Sequence, residues 1–312
     1  MSSVVVVTGC CPPDGEMLMT HGGRKGTLGG MTVSPTVRRR RLAAELRRLR
    51  AALDLTQQQA AAHLGCTQAK IGRFETAKRT PSVGDVSALL DFYGVGDAER
   101  EQLLNLTRDA RKRGWWHSYS DVLPEWYETY VGLEAEASSI HTYESEAIPG
   151  LLQTHEYAYA ITKATLIRAD EAEIARRVEL RIQRQQRVIG EKPLELWAVL
   201  GEAALRRRVG GPGVLRRQLE HVLKLVAMAN VTVQVMPLDA GAHPAQVGPF
   251  VILRYSDHAD PDVVYLETHV GGLYLEREIE LSNYVTMMDH LRAHAIDPET
   301  SLQVIDERIG EL

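Results

Sequence analysis

The sequence predicts a two-part molecule: a small all-α module near the N-terminus, then a larger α+β (or α/β) domain. Three observations carry this reading. Between residues 37 and 113 apolar residues recur at helical spacing, in short runs separated by capping residues and glycines. Beyond residue 190 the pattern shifts to β-branched and aromatic runs of strand length. The charge divides in the same place. The 312-residue chain carries a net −5, yet Pro35–Ser82 holds 11 Arg and Lys against three acids, leaving 25 basic and 38 acidic residues elsewhere. Such asymmetry suits a nucleic-acid-binding module joined to an acidic domain.

Residues 1–34 are rich in Gly, Pro, Ser and Thr, with turn-like Pro12-Pro13-Asp14-Gly15 and Gly22-Gly23 and no apolar period. They read as a flexible extension. Met31 stands just before the first periodic segment and is a candidate start codon. Cys10, Cys11 and Cys66 include no CxxC pair, so neither a zinc site nor a disulfide framework is expected. The longest unbroken apolar run, Val4–Val7, is far too short for a membrane span or a secretory signal. A cytoplasmic protein is expected.

The module over residues 35–114 reads as four or five short helices. Leu42, Leu46, Leu49 and Leu53 share one helical face, with Arg38–Arg41, Arg47, Arg48 and Arg50 around the rest. Thr56-Gln57-Gln58-Gln59 fits a capping box that opens a second helix, and Gly65 suits a left-handed exit from it. Thr67 caps a short third helix whose Ile71 and Phe74 point inward. Ser82–Asp85 offers another capping box, and Val86, Leu89, Leu90 and Tyr93 form the next apolar face before Gly94. Asp97–Arg113 is a fifth helix with Leu103, Leu104 and Leu106 buried.

In residues 115–312, Glu125–Ser145 and Glu171–Ile189 read as helices. Leu194–Leu200, Val231–Met236, Phe250–Tyr255 and Val263–Glu267 read as strands. Val214–Ala229 is a helix between two of them, and Glu278–Ala295 closes the domain as another. Ile148–Thr154 reads as a loop with a buried Pro-Gly turn, Gly241–Pro244 as a turn with His243 exposed, and Gly271-Gly272 as a hairpin turn.

Leu55–Pro81 carries the functional signal. Ala60 is small where two helices cross, Gly65 makes the turn, and Leu64, Ile71 and Phe74 fill a small core. That leaves Gln57, Thr67, Gln68, Ala69, Lys70 and Arg73 outward. Gln pairs bidentately with adenine, and Arg with guanine, in the major groove. The amides behind Thr56 and Thr67, with Lys78 and Arg79, suit phosphates. Arg40, in the arginine run, is a weaker phosphate candidate. This stretch resembles the helix-turn-helix of phage-repressor-like regulators, the XRE family. The resemblance implies a λ-repressor-like fold that reads double-stranded DNA, as a homodimer on an inverted-repeat operator.

A second resemblance covers roughly residues 116–308. Tyr130–Ala137, Ile148–Thr154, Glu156–Ala158, Arg181–Gln185, Glu202–Arg207, Val231–Pro237, Gly248–Phe250 and Val264–Glu267 resemble the DUF5753 domain of actinobacterial regulators. It implies a sensing or partner-binding domain, encoded beside a small DUF397-type protein in antitoxin-like pairs. Two controls stay open: a small-molecule effector, or sequestration of that partner with autoregulation of the operon. Gln153, Arg181, Gln185, Glu202, Arg206 and Glu267 are the polar candidates for ligand or partner contact. Structural salt links among Arg181, Arg184, Glu202 and Arg206 are the competing reading.

An enzyme is not expected. The sequence has no G-x-S-x-G, H-E-x-x-H, P-loop or Rossmann fingerprint, and none of its 11 His has Lys two residues on. Neither cofactor nor metal is implied.

Overall fold

The computed structural model describes residues 34–257 and 260–312. The extension read as flexible, with Met31, Cys10 and Cys11, lies outside the described residues. Ser34 opens the first helix: its hydroxyl accepts from the Thr36 amide at 3.2 Å, and Pro35 fills the first helical position. Helix α1 (Pro35–Ala52) is followed by α2 (Gln57–His63), α3 (Gln68–Glu75), α4 (Val83–Phe92) and α5 (Asp97–Ala110). Their shared core holds Leu42, Leu46, Ala60, Ile71, Phe74, Val86, Leu89 and Leu90. Phe74 is fully enclosed, so Phe74→Ala should cost about 3–5 kcal/mol. Leu53 departs from the expected apolar stripe. It caps the C-terminus of α1, where the chain turns away, and is 49% exposed.

A 3-10 turn (Trp115–Tyr119) leads into α6 (Glu125–Glu134), then strand β1 (Ser139–Glu144). The second half of the expected Glu125–Ser145 helix is therefore a strand. Next come α7 (His155–Thr165), α8 (Glu171–Arg184) and the short α9 (Gln186–Ile189). Strand β2 (Glu195–Gly201), α10 (Glu202–Arg206), α11 (Pro212–Val226) and β3 (Val231–Met236) follow. The chain ends with β4 (Phe250–Arg254), β5 (Val263–Thr268), β6 (Gly271–Leu275), α12 (Glu278–His294) and α13 (Pro298–Gly310).

Among the described residues the strands form one mixed six-stranded sheet, ordered β3-β2-β1-β4-β5-β6. β1, β2 and β3 are parallel, joined by the helical crossovers that parallel pairing requires. β4, β5 and β6 run antiparallel as a meander, with β4 against β1. Thr268 pairs with Gly271, so the hairpin turn is His269-Val270. Gly271 and Gly272 belong to β6 instead, where a side chain on Gly272 would strike the Tyr265 ring.

Strand alternation sends Ile140, Leu196, Val233 and Tyr265 into one core with α6, α8, α11 and α13. Tyr143, Val199, Ile252 and Val264 go to the other face, under α12. His243 is half-buried, its Nε2 3.3 Å from the Tyr143 hydroxyl, because the loop before β4 folds back over that face.

The first helix belongs to both cores. Val37 is buried with Trp116, Tyr130 and Val131 of the larger domain, whereas Leu42 and Leu46 are buried in the helical module. Gly132 on α6 makes the crossing close: a Cβ there would overlap the Thr36 hydroxyl. The arginine run follows the same surface. Arg40 pairs with Glu276 at 3.0 Å and Arg41 with Asp257 at 2.7 Å. Burial lowers the Arg39 pKa, opposed by Glu125 and Glu128. Arg38 pairs with Asp109 on α5 at 3.3 Å.

Candidate nucleic-acid interface and a C-terminal cleft

The pair α2–α3 is built by local rules. Thr56 Oγ1 accepts from the Gln59 amide at 3.2 Å, while Gln59 Oε1 accepts from the Thr56 amide at 2.8 Å. Gly65 takes φ +60° in the turn, a conformation that favours glycine. Thr67 then caps α3, its hydroxyl accepting from the Lys70 amide at 3.3 Å. Ile71, Phe74 and Ala60 are buried, which fixes the rotation of α3.

That rotation leaves Thr56, Thr67, Gln68, Ala69 and Arg73 exposed, and Lys78 and Arg79 exposed in the segment beyond. Arg73, Lys78 and Arg79 form no ion pair among the described residues. Two expected outward groups are partly committed. Gln57 Nε2 donates to Glu75 Oε2 at 2.9 Å, and Lys70 Nζ lies 2.9 Å from Asp85 and over the Phe74 ring. Arg40 does not join this set. Its side chain is 11% exposed, because Glu276 from the far end of the chain meets it at the interdomain contact.

Sequence reasoning missed the group that locks α3 in place. Glu75, buried at the end of α3, receives Arg50 Nε at 2.6 Å and Nη2 at 2.8 Å. Arg50 Nη1 also donates to the Leu55 carbonyl. Burial opposes the Glu75 charge, but the Arg50 and Gln57 bonds outweigh it and hold its pKa below the ordinary carboxylate value. One carboxylate thus ties α1, α2 and α3 together. Its only sequence signal was an acid in an otherwise basic stretch.

A second site lies in the larger domain, at the carboxyl ends of β1 and β5. A cleft of about 680 Å³ opens there between the sheet and helices α6, α7 and α8. Trp126, Tyr127 and Tyr130 line it from α6, Ile161 and Thr162 from α7, and Arg181 and Arg184 from α8. The sheet contributes Glu144, Phe250, Tyr265 and Glu267. Carboxyl ends of parallel strands, where the order of a sheet changes direction, are frequent ligand sites.

Beneath the cleft, Arg184 Nε and Nη2 donate to the two oxygens of Glu134, both at 2.6 Å, with the pair 5% and 1% exposed. Tyr130 donates to Glu134 at 3.0 Å, and Arg184 lies over the Tyr127 and Tyr130 rings. This fully bonded pair fixes α6 against α8. Losing either partner would leave a buried charge, at a cost of about 3–5 kcal/mol.

The sequence candidates divide around the cleft. Gln153, Arg181 and Glu267 line it, with Arg181 donating to Gln153 Oε1 at 2.7 Å. Gln185 sits behind, bonded to the Gly150 and Gln153 carbonyls at 3.1 and 2.6 Å, and so shapes the Ile148–Thr154 loop. Glu202 and Arg206 are not brought to it. They pair with each other one turn apart on α10, and Glu202 accepts from the Leu238 amide. Glu144 was missed, since it ends a strand that reads as helix. Among the described residues no group of three His, Cys, Asp or Glu could hold a metal ion, and no helix is long and apolar enough to cross a membrane.

Comparison with known families is informative at the domain level. A family profile described as a domain of unknown function (DUF5753) matches residues 127–307, and a helix-turn-helix domain profile matches residues 41–103. No curated protein and no solved structure matches the chain.

Proposed function

This chain belongs to the DUF5753 family and carries a helix-turn-helix domain ahead of it, and we propose that it is a cytoplasmic, sequence-specific transcription regulator. Helix α3 enters the major groove, where Gln68 and Arg73 meet base edges and Ala69 admits a thymine methyl. Thr56 and Thr67 present helix N-termini to phosphates, with Lys78 and Arg79 beyond them and Gln57 and Lys70 flanking. Arg40 is left out of this set, since Glu276 already holds it.

One observation carries the reading. Gln68 and Arg73 stand exposed on one rigid helix, and the cations Arg73, Lys78 and Arg79 lack carboxylate partners among the described residues. A short recognition helix reads few base pairs, so selectivity requires two copies about 34 Å apart on an inverted repeat. The homodimer assembles through residues after Trp116, and the C-terminal cleft receives the controlling signal. A pre-formed cleft favours a small-molecule effector over a DUF397-type protein, which would seek an exposed apolar surface.

Operator selection from a random duplex library with the full chain tests this. An inverted repeat bound by a dimer in analytical ultracentrifugation is expected. Enrichment of no sequence would overturn the reading, and a monomeric species on a single half-site would remove the dimer.

A further inference from the structure

Elsewhere in this molecule the buried acids are answered by arginine: Glu75 by Arg50 and Glu134 by Arg184. The cleft at the carboxyl ends of β1 and β5 differs: its two acids, half-buried Glu144 and exposed Glu267, have no arginine pair among the described residues. The Glu144 carboxylate makes neither a hydrogen bond nor an ion pair among the described residues, and the Glu267 carboxylate accepts only from the Tyr265 hydroxyl, at 3.1 Å. Strand alternation puts Glu144 on the same sheet face as Ile140, and Glu267 on that of Tyr265, so both carboxylates face the same layer of helices.

We propose that this cleft binds a small organic cation, a primary amine carried on an aromatic or apolar body. The sign of the charge follows from what is already spent. Arg184 is closed by Glu134, Arg177 by Glu173 at 2.7 Å, and Arg181 donates to the neutral Gln153. Two acids therefore stand against Arg181, and at pH 8 and above, where Glu144 ionises as well as Glu267, an anion would meet an excess of like charge. The body of the ligand follows from the walls, which include Trp126, Tyr127, Tyr130, Tyr265 and Ile161. Aromatic faces also attract an ammonium directly. A volume of about 680 Å³ accommodates a molecule of amino-acid size or larger.

Thr162 is an independent sign that something polar is bound. It is 3% exposed and lines the cleft, and its Oγ1 has no hydrogen-bond partner. A buried hydroxyl left so is costly unless a ligand completes it. Glu144 shows the same incompleteness: burial, with Glu267 nearby, pushes its carboxyl up to about 8. A bound ammonium opposes that rise by favouring the ionised carboxylate.

The cleft also touches the DNA-binding part of the molecule through one helix. Tyr127 and Tyr130 in its wall belong to α6, whose Gly132 backs Thr36 of α1. An effect on operator affinity rests on the regulatory reading above; binding of the amine does not.

Full-length protein is titrated by calorimetry near pH 8 with 2-phenylethylamine, tryptamine and octylamine, against 2-phenylethanol and phenylacetate as neutral and anionic counterparts. At least one amine should bind about tenfold or more tightly than the alcohol, and phenylacetate should not bind. Glu267→Gln and Glu144→Gln should each weaken the amine about tenfold, in protein whose melting curve shows it folded. Glu267 is exposed, so its variant keeps the test decisive if Glu144→Gln does not fold. No amine binding below about 1 mM, an alcohol as tight as the amine, or amine affinity indifferent to Glu267→Gln would each overturn the site. Operator binding measured with and without the amine separates the two readings. Amine bound with operator affinity unchanged leaves the site standing and removes regulation through it.

Discussion

Arg38–Arg41 and the segment from Arg73 to Arg79 are both basic, both helical or next to a helix, and in the sequence both suggest phosphate. In the structure they differ. The first run is consumed by carboxylates: Asp109 for Arg38, Glu276 for Arg40 and Asp257 for Arg41. The second meets none among the described residues. Positive charge alone therefore says little about a nucleic-acid surface. What matters is whether the rest of the chain brings acids to it, and here they reach one run only, Asp109 from the helical module and Asp257 and Glu276 from the larger domain.

The comparison predicts separable effects. The largest belongs to the unpaired run. Removing Arg73, Lys78 and Arg79 together should lower the dependence of log K on log salt by about 1.8 per protomer, from the two phosphate contacts of Lys78 and Arg79, and abolish tight DNA binding at physiological ionic strength. An unchanged salt slope in fluorescence anisotropy would break the comparison. Gln68→Ala should cost about 1–3 kcal/mol at the preferred site and nothing on random duplex. Equal losses on both would assign Gln68 to the backbone. Arg40→Ala should behave in the opposite way, with the salt slope unchanged and stability lower by about 1–2 kcal/mol. That range lies between exposed and buried pairs, because Arg40 is nearly enclosed while Glu276 is half open. Urea unfolding read beside anisotropy distinguishes the two outcomes.

The last effect depends on pH and concerns an acid that no arginine pairs. The folded Glu144 carboxyl titrates near 8, above its ordinary value of 4.5, mainly through burial and then through Glu267, with Arg181 opposing. Folding therefore takes up a proton between those values. The associated stability is fully present below about 4.5 and is lost as pH rises through about 8. Glutamine does not titrate. Glu144→Gln should match the wild type in acid and melt progressively higher than it as pH approaches 8. A melting difference independent of pH would contradict this.

What the sequence revealed and what it hid divide along the range of the interactions. The Thr56–Gln59 and Ser82–Asp85 boxes span three residues and were legible, as were the glycine turns at Gly65 and Gly94. Their partners lie within one helical turn. β1 was not legible: Ser139–Glu144 holds Ile140, Thr142 and Tyr143 but follows Leu133–Ser138 with no Gly or Pro to break the helical reading, and its ladder partners β2 and β4 lie far along the chain. Misreading that strand hid Glu144. Arg40 was misplaced for the same reason, since Glu276 lies 236 positions away. The lining residues Gln153, Arg181 and Glu267 were found by chemical type, but Glu202 and Arg206, of the same type, only pair with each other.

The sharing of α1 between two cores has a mechanical consequence. Val37 is anchored in one core and Leu42 in the other, five residues and about 7.5 Å apart along one helix. No slack segment separates the two anchor points, so the helical module cannot swing on a tether there. It turns only as the first two turns of α1 turn, like a key held in a lock. Withdrawing that helix would expose Val37 and strip Arg40 and Arg41 of their acids together. In the proposed dimer, the spacing between the two recognition helices follows from how firmly α6 grips α1.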